Sequence, residues 1–443
     1  MRAASQQPSE SNPSSPDRIE RRTLLKAGIA ATAAQLCGSS HVLGQAPESS
    51  PGGHPVADAK EVQLKGVKVA LARPRVIAET TGGRCWFPDL LRFSTGELMM
   101  NHSLNADENL NAHNSQAVYL STDGGERFDF QYDVNGFHNV SGEPRLSLPD
   151  GKIVGMSCFL KPDPAGRGRR FLAHRWTYDR GGRRYSVEPW GVVVEGLPRE
   201  VKMWPKPSRT WWAHINWFTD IIALDKDRWI STLSMRYVGD KRETTEALVS
   251  TDRGWTWKYL STIAGPDAVA DAIEGFDEPC LITLDDGDLM CISRVGQGED
   301  QKLARAYSSD GGNTWSALDR LPAYSVMPQI CRTSSAVLAL STGRPGLWLW
   351  LSTDARGKQW QPIDIMAHHN AMVNPKWHIV HGKIGSYAGA EIKTTAGTAI
   401  VPLADDRLLL VYDRIPFGWH AVPEKSGERS QIYLLDITVS RTG

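Results

Sequence analysis

Two glutamates of this chain stand in matching contexts that could support acid–base chemistry. Glu143 and Glu278 each open a Glu-Pro-x-Leu segment, and Arg294 follows Glu278 across a short turn. Carboxylate pairs are the usual equipment for hydrolysing glycosidic bonds, and an arginine beside them makes strong charge-assisted hydrogen bonds. The pattern predicts a polar cleft lined with titratable groups. The alternative is that Glu-Pro only begins a strand at both positions.

Hairpins must position these residues. Six segments carry apolar alternation or a short apolar run on both sides of an acidic or glycine turn, which predicts β-hairpins. They cover residues 87–100, 143–156, 218–233, 278–292, 335–351 and 399–413. Glu143 and Glu278 open the first strand of their hairpins, so they should occupy equivalent places.

A second pattern recurs between the hairpins, with the form Ser-x-Asp-x-Gly-x-x-aromatic. Its three good copies start at Ser121, Ser250 and Ser308, and weaker copies start at Thr177 and Ser352. The aspartate can accept hydrogen bonds from backbone N–H groups further along, the glycine can take positive φ, and the aromatic ring can be buried. Recurrence of this kind predicts a repeat architecture.

The two patterns together predict an all-β fold, namely a six-bladed β-propeller with four strands in each blade. The same position of every blade then faces one axial cleft, which would bring Glu143, Glu278 and Arg294 together. A long β-sandwich is the alternative.

Composition excludes some partners. Lys+Arg and Asp+Glu both number 50 in 443 residues, so no net charge steers the chain toward nucleic acid or a membrane surface. The tryptophan count of 16 is high, and one group lies outside the turn pattern: Trp204, Trp211, Trp212 and Trp217. Such aromatics could line a sugar-binding cleft or pack between blades.

The N-terminal residues differ from the rest. Arg21-Arg22 precedes an apolar run that is too short to span a bilayer, and the arrangement resembles a twin-arginine export signal. We expect the signal in residues 1–46, a flexible linker in 47–64 and the propeller in 65–443, with no transmembrane span in the mature chain. Export predicts a periplasmic or extracellular protein. Five cysteines would remain after cleavage, an odd number that argues against a disulfide framework.

Turn pattern, hairpins and export signal together resemble the sialidase (neuraminidase) superfamily of six-bladed propellers, whose turn motifs are called Asp boxes. The resemblance covers residues 65–443. FDEPCLITLDDGDLMCISR matches the family's order of a glutamate, a hairpin turn and an arginine that binds the substrate carboxylate. The resemblance implies that Glu278 is catalytic and that Arg294 binds substrate. In the family, a tyrosine polarised by the glutamate attacks the anomeric carbon, and a loop aspartate is the general acid and base.

The resemblance implies further substrate-binding residues. Arg84 and Arg344 would complete a set of three arginines, although Trp86-Phe87-Pro88 stands where the family has Arg-x-Pro. Asp413 would be a carboxylate that orients an arginine. Glu143 joins this group through its matching hairpin.

Two further catalytic roles are implied. Asp107 is the expected general acid, with Glu108 as the alternative, because both lie in the loop before the first Asp box. Thr398 stands at the position where the family has its tyrosine. The expected nucleophile is therefore Tyr387, which lies further upstream.

The sequence thus predicts an exported glycoside hydrolase acting on a terminal sugar, such as sialic acid or another acidic sugar, without a cofactor. Its partner would be a carbohydrate or glycoconjugate. A non-catalytic glycan-binding propeller is the first alternative. A metal site is the second, suggested by the nearby histidines His368, His369, His378 and His381.

Overall fold

The computed structural model describes residues 59–104, 115–135, 143–179, 184–204, 213–381 and 392–442. Strands are the main regular element of these residues, which contain a single α-helix, Ile365–Met372 (α1). The all-β prediction is confirmed. No helix in the described ranges has the length and apolar character needed to cross a membrane.

The chain begins with three strands: Lys60–Leu64 (β1), Val67–Leu71 (β2) and Arg75–Thr80 (β3). β1 pairs with β2. The expected linker, residues 47–64, therefore extends too far at its C-terminal end. Val62 and Leu64 explain the difference, because their side chains pack against a hydrophobic core.

An antiparallel four-stranded sheet follows, made of Trp86–Arg92 (β4), Leu98–Ser103 (β5), Ser115–Ser121 (β6) and Asp129–Asn135 (β7).

Ten strands then share one sheet: Arg145–Ser147 (β8), Lys152–Met156 (β9), Lys161–Pro162 (β10), Phe171–Asp179 (β11), Arg184–Glu195 (β12), Ile215–Asn216 (β13), Ile222–Ala223 (β14), Trp229–Met235 (β15), Thr244–Ser250 (β16) and Thr256–Ala264 (β17). A parallel pairing of β12 with β17 joins its two antiparallel halves.

Two further four-stranded sheets contain Asp277–Thr283 (β18), Leu289–Arg294 (β19), Ala304–Ser308 (β20), Asp319–Arg320 (β21), Gln329–Arg332 (β22), Leu338–Gly343 (β23), Leu347–Ser352 (β24) and Gln361–Asp364 (β25). After α1 come Thr398–Pro402 (β26), Arg407–Arg414 (β27) and Ser430–Arg441 (β28). The last sheet runs β26-β27-β28-β2, and β3 also pairs with β28. N-terminal strands thus complete the C-terminal sheet.

Five predicted hairpins coincide with the first two strands of a four-stranded group, and one does not. The segment 335–351 forms β23 and β24, whereas the first hairpin of that sheet is β22 with β23. The long apolar run of β23 and β24 concealed the short strand β22 in the sequence. Arg344 consequently lies in the turn after the second strand of its sheet.

The Asp boxes lie between the third and fourth strands of their sheets and have the predicted bonds. In the box that begins at Ser308, Ser308 Oγ donates to Asp310 Oδ1 (2.8 Å) and accepts from Gly312 N (2.8 Å), and Thr314 N donates to Asp310 Oδ1 (2.9 Å). The boxes at Ser121 and Ser250 repeat this geometry.

Each box glycine also packs tightly on a side chain from a distant strand. A Cβ added to Gly312 would lie 2.4 Å from Ile230, one on Gly254 2.5 Å from Met156, and one on Gly125 2.6 Å from Leu409. All three glycines have positive φ, between 84° and 93°. Both the backbone conformation and the close contact therefore require glycine.

We expect Ser308→Ala to lower the free energy of unfolding by about 1 to 3 kcal/mol, because it leaves the buried Gly312 N–H without its acceptor. Activity per folded molecule should not change. Ser309→Ala is the matched control, since Ser309 is exposed. Denaturant unfolding of both variants tests this, and equal stability of the two would contradict a structural role for the box serine.

Five cysteines lie in the described residues: Cys85, Cys158, Cys280, Cys291 and Cys331. All five are buried and free of disulfides there.

Candidate functional site

Several sheets begin with the same backbone irregularity. Phe87, Glu278, Met327 and Ala396 have positive φ values of 48°, 41°, 45° and 56°. The register of β4 against β5 and of β18 against β19 shifts at this point, as expected for a β-bulge that redirects a side chain. Because this conformation is unfavourable for residues with a Cβ, its recurrence shows that the fold imposes it.

One of these strand starts, Met327, contributes to an apolar cluster and also contacts Glu278. Phe218, at the corresponding place before β14, packs with Phe159 and Met327, which come from other parts of the chain. Met327 N donates to Glu278 Oε2 (2.8 Å). Glu278 therefore lies beside an apolar cluster made by segments of two different sheets.

Glu278 and Arg294 are in direct contact, as their spacing in the sequence suggests. Arg294 Nη1 donates to Glu278 Oε2 (2.7 Å), and Arg294 Nη2 donates to Glu274 Oε2. The side chains of Arg294 and Glu278 are 8% and 14% exposed. Burial opposes the charge of Arg294, but Glu278 and Glu274 raise its pKa above the usual value. The arginine is thus a fixed cation between two carboxylates.

Asp277 adds a third carboxylate to this cluster. Ser234 Oγ, on β15, donates to Asp277 Oδ1. Burial raises the pKa of Asp277, and the neighbouring Glu278 raises it further.

Glu143 has a different environment from Glu278 despite its matching sequence context. Its side chain is buried, and Trp176 Nε1 donates to Glu143 Oε2 (3.2 Å). The side chain of Glu143 is therefore less accessible to solvent than that of Glu278.

A second set of charged residues lies two positions after the strand starts. Arg145 donates two hydrogen bonds to Asp89, and the side chains of both residues are 3% exposed. Arg145 Nε lies 3.5 Å from Asp220 Oδ1. Three sheet segments, β4, β8 and the residues before β14, thus meet through one guanidinium group.

Asp220 is a functional candidate that the sequence analysis missed. Its side chain is 46% exposed although it contacts the buried Arg145. Protein surroundings raise the pKa of Asp220 to about 6 by desolvation, against the attraction of Arg145. Thr219 Oγ1 donates to Pro279 O (2.7 Å), which holds Asp220 beside the Glu278 strand. Superposing Phe218-Thr219-Asp220 on Glu278-Pro279-Cys280 would have indicated this position.

Arg84 and Arg344 meet at one residue, Trp419. Arg84 Nη2 donates to Trp419 O (3.3 Å), and the guanidinium carbon of Arg344 lies 5.2 Å from the centre of the Trp419 ring. Arg344 also donates two hydrogen bonds to Thr395 O (2.9 and 3.2 Å). The Trp419 ring packs edge-on against the buried Trp86. Burial lowers the pKa of Arg84.

Asp413 is fully buried and holds backbone groups. It accepts hydrogen bonds from Phe87 N (2.9 Å), Thr395 N (2.7 Å) and Thr394 Oγ1 (2.9 Å). Burial raises the pKa of Asp413. These bonds fix the start of β4 to the last sheet, so Asp413 positions the strand that carries Phe87.

Three residues named from the sequence lie outside the described residues: Asp107, Glu108 and Tyr387. Their roles stay predictions.

The histidine group suggested as a metal site makes contacts within the protein. His368 Nε2 is paired with Ala72 O (2.8 Å), and His369 with Tyr412 Oη (2.9 Å) and Trp377 O (3.1 Å). Among the described residues, no three His, Cys, Asp or Glu side chains are grouped to hold a metal ion.

Residues 218–393, which include Glu278 and Arg294, match the family model for a BNR repeat-like domain. One similar structure is a protein of unknown function from Dyadobacter fermentans, with 17% identity and a TM-score of 0.57 over 85% of this chain and 100% of that one. Another is an α-L-arabinanase from Penicillium chrysogenum, with 14% identity and a TM-score of 0.54 over 82% of this chain and 98% of that one. A third is a Hadza microbial sialidase, with 13% identity and a TM-score of 0.53 over 81% of this chain and 66% of that one.

The chain has the sialidase-like, BNR-repeat fold. In this sialidase-like chain the repeats carry the Asp boxes, and the strand starts carry the charged cluster. Comparison of the sequence with curated proteins found no significant match.

Proposed function

We propose that this sialidase-like chain is a glycoside hydrolase that acts on an exposed terminal sugar, with Glu278 as its central carboxylate. The observation that carries the proposal is that Arg294 and Met327 N–H fix the Glu278 carboxylate at a strand start while part of its side chain stays accessible. A fixed carboxylate of this kind can accept the proton of a nucleophile such as Tyr387. The fold likeness to an arabinanase and a sialidase supports a carbohydrate substrate.

We also propose that the sheets close into the predicted six-bladed propeller. Contacts between successive four-stranded groups support closure: Asp89 with Arg145, β12 with β17, Ser234 with Asp277, Glu278 with Met327, Ser341 with Thr398, and Asp413 with Phe87. The last of these contacts joins the final group to the first.

An acidic sugar is the first candidate substrate, and Arg84 favours it. Arg84 has no ion pair in the described part of the chain, and its guanidinium group bonds only a backbone carbonyl. A sugar carboxylate would supply the missing negative charge.

A neutral sugar is the second candidate, and the charge balance around Glu278 favours it. Glu274, Asp277 and Glu278 outnumber Arg294, which already binds two of these carboxylates. The buried Trp86 also replaces an arginine of the family with an apolar wall.

A panel of chromogenic glycosides decides between these candidates. It should contain a sialoside, a uronide and an α-L-arabinofuranoside, each assayed with the purified chain. Release of chromophore from one of them supports the hydrolase and names its sugar. Binding of oligosaccharides without any turnover would instead favour the non-catalytic glycan-binding propeller.

Two carboxylates could supply the proton for the leaving group: Asp107, as the family resemblance implies, and Asp220. With a pKa of about 6, Asp220 is protonated below that pH and loses its proton above it. If Asp220 is the acid, activity should fall as the pH rises through 6, and Asp220→Asn should lower kcat about 10²- to 10⁴-fold.

The matched comparison is Asp107→Asn, assayed on an ordinary alkyl glycoside and on a dinitrophenyl glycoside that needs no protonation to leave. The variant that loses activity only on the alkyl glycoside identifies the acid. If the activity of the wild type did not fall as the pH rises through 6, Asp220 would be excluded from this role.

We propose that the chain is exported, on the basis of the twin-arginine pattern. Replacing Arg21 and Arg22 by lysine in the expressed protein should retain it in the cytoplasm. Unchanged export of that variant would contradict the proposal.

A further inference from the structure

Of the four tryptophans that the composition singled out, Trp204 and Trp217 have different environments, and Trp211 and Trp212 lie outside the described residues. Trp217 is fully buried and packs edge-on against the Asp-box residue Trp257, with ring centres 5.1 Å apart. Trp204 is 38% exposed and stacks on His214, with ring centres 3.9 Å apart and planes inclined by 20°. Trp217 is therefore part of the core, whereas Trp204 presents aromatic surface to solvent.

Backbone pairing fixes this stacked pair. Met203 and Ala213, which precede Trp204 and His214, form a β-bridge. His214 N donates to Lys202 O (2.9 Å), and Arg236 N donates to His214 O (2.9 Å). The indole thus rests on a firm support rather than on a loose surface side chain.

A chain of contacts leads from the stacked pair to Glu278. His214 Nδ1 lies 3.9 Å from Glu243 Oε1, and Arg236 Nη2 lies 2.7 Å from the same oxygen. Glu243 N donates to Glu274 O (2.8 Å), and the carboxylate of Glu274 accepts from Arg294.

The two segments in this chain of contacts approach closely. Gly275 lies so near Glu243 that an added Cβ would be 2.3 Å from Glu243 N. The segments that carry the stacked pair and the Glu278 cluster are therefore in direct contact.

His214 suits a stacking support. Burial, together with the nearby charges of Arg236 and Lys202, lowers its pKa to about 4. The imidazole is then neutral above that pH, so the support carries no charge that would need hydration.

We infer that Trp204, supported by His214, is a stacking site for a sugar unit of the substrate beyond the one that is cleaved. The inference deepens the proposed glycoside hydrolase function and rests on it for the identity of the cleaved bond. The ligand class is an oligosaccharide, because the flat apolar face of a sugar ring stacks on an indole while its hydroxyl groups stay hydrated. A monosaccharide glycoside lacks the additional sugar unit that this site would bind.

The test compares Trp204→Ala on two substrates: a 4-nitrophenyl monosaccharide glycoside and a linear oligosaccharide that ends in the same sugar. We expect KM for the oligosaccharide to rise about 3- to 10-fold, the range for loss of one aromatic stacking contact. KM for the aryl glycoside and kcat for both should not change. Trp204→Phe should restore most of the oligosaccharide binding.

Trp255→Ala is the matched control. Trp255 is 40% exposed, close to the value for Trp204, but lies in an Asp box and stacks with Arg175. Its replacement should leave both KM values unchanged. Equal effects of Trp204→Ala on both substrates, or no effect on either, would overturn the inference.

Calorimetric titration of linear arabino-oligosaccharides and sialylated oligosaccharides into the Glu278→Gln variant separates the two proposals. Binding that Trp204→Ala weakens, in a protein whose wild type hydrolyses no glycoside, keeps the stacking site and rejects the hydrolase. Hydrolysis that Trp204→Ala does not change would keep the hydrolase proposal and reject the stacking site.

Discussion

Glu278→Gln is expected to lower kcat by about 10²- to 10⁴-fold while substrate binding stays within a few-fold, since glutamine keeps the shape but cannot accept a proton. Arg294 Nη1 and Met327 N can still donate to the remaining carbonyl oxygen, so the strand start should keep its conformation. Steady-state kinetics on the glycoside that the panel identifies measures the effect, and calorimetry measures binding.

The control for this substitution is Glu274→Gln, which removes the other carboxylate that binds Arg294. We expect it to lower kcat less than about tenfold, because Glu274 lies outside the strand that holds Glu278. Similar losses in both variants would mean that the carboxylates act only by holding Arg294, and the catalytic assignment of Glu278 would be wrong.

Asp89→Asn is expected to lower the free energy of unfolding by about 3 to 5 kcal/mol, because it leaves the buried charge of Arg145 without its main partner. Asp220, 3.5 Å from Arg145 Nε and half exposed, compensates only in part. Urea unfolding of the variant and the wild type measures the loss.

Two controls accompany this variant. Asp129→Asn breaks the exposed pair of Asp129 with Arg127, whose side chains are 54% and 68% exposed, and should cost less than about 1 kcal/mol. The double variant Asp89→Leu, Arg145→Met removes both buried charges and should recover most of the stability. A loss in Asp89→Asn no larger than in Asp129→Asn would contradict the importance of the buried pair.

Much of the fold could be predicted from local patterns. The Asp-box turns form as expected because their serine, aspartate and glycine bond within one turn, and such bonds depend on neighbours in the chain. The contact of Glu278 with Arg294 could also be predicted from the sequence, because one hairpin joins the two residues. The displaced hairpin at 335–351 shows the limit, because periodicity alone does not tell which apolar strand is first in a sheet.

The sequence by itself determined the repeats, the all-β character, the box turns and the pairing of Glu278 with Arg294, all of which follow from short-range chemistry. Tertiary structure alone decided which carboxylates are accessible. Glu143 and Glu278 share a sequence context, yet packing on Trp176 buries the first. Asp413 accepts a hydrogen bond from Phe87 N, 326 residues away in the sequence. The pKa of Asp220 is raised by desolvation, which depends on segments that the local sequence does not place beside it. Burial and charge environment depend on contacts between distant segments, so local patterns cannot specify them.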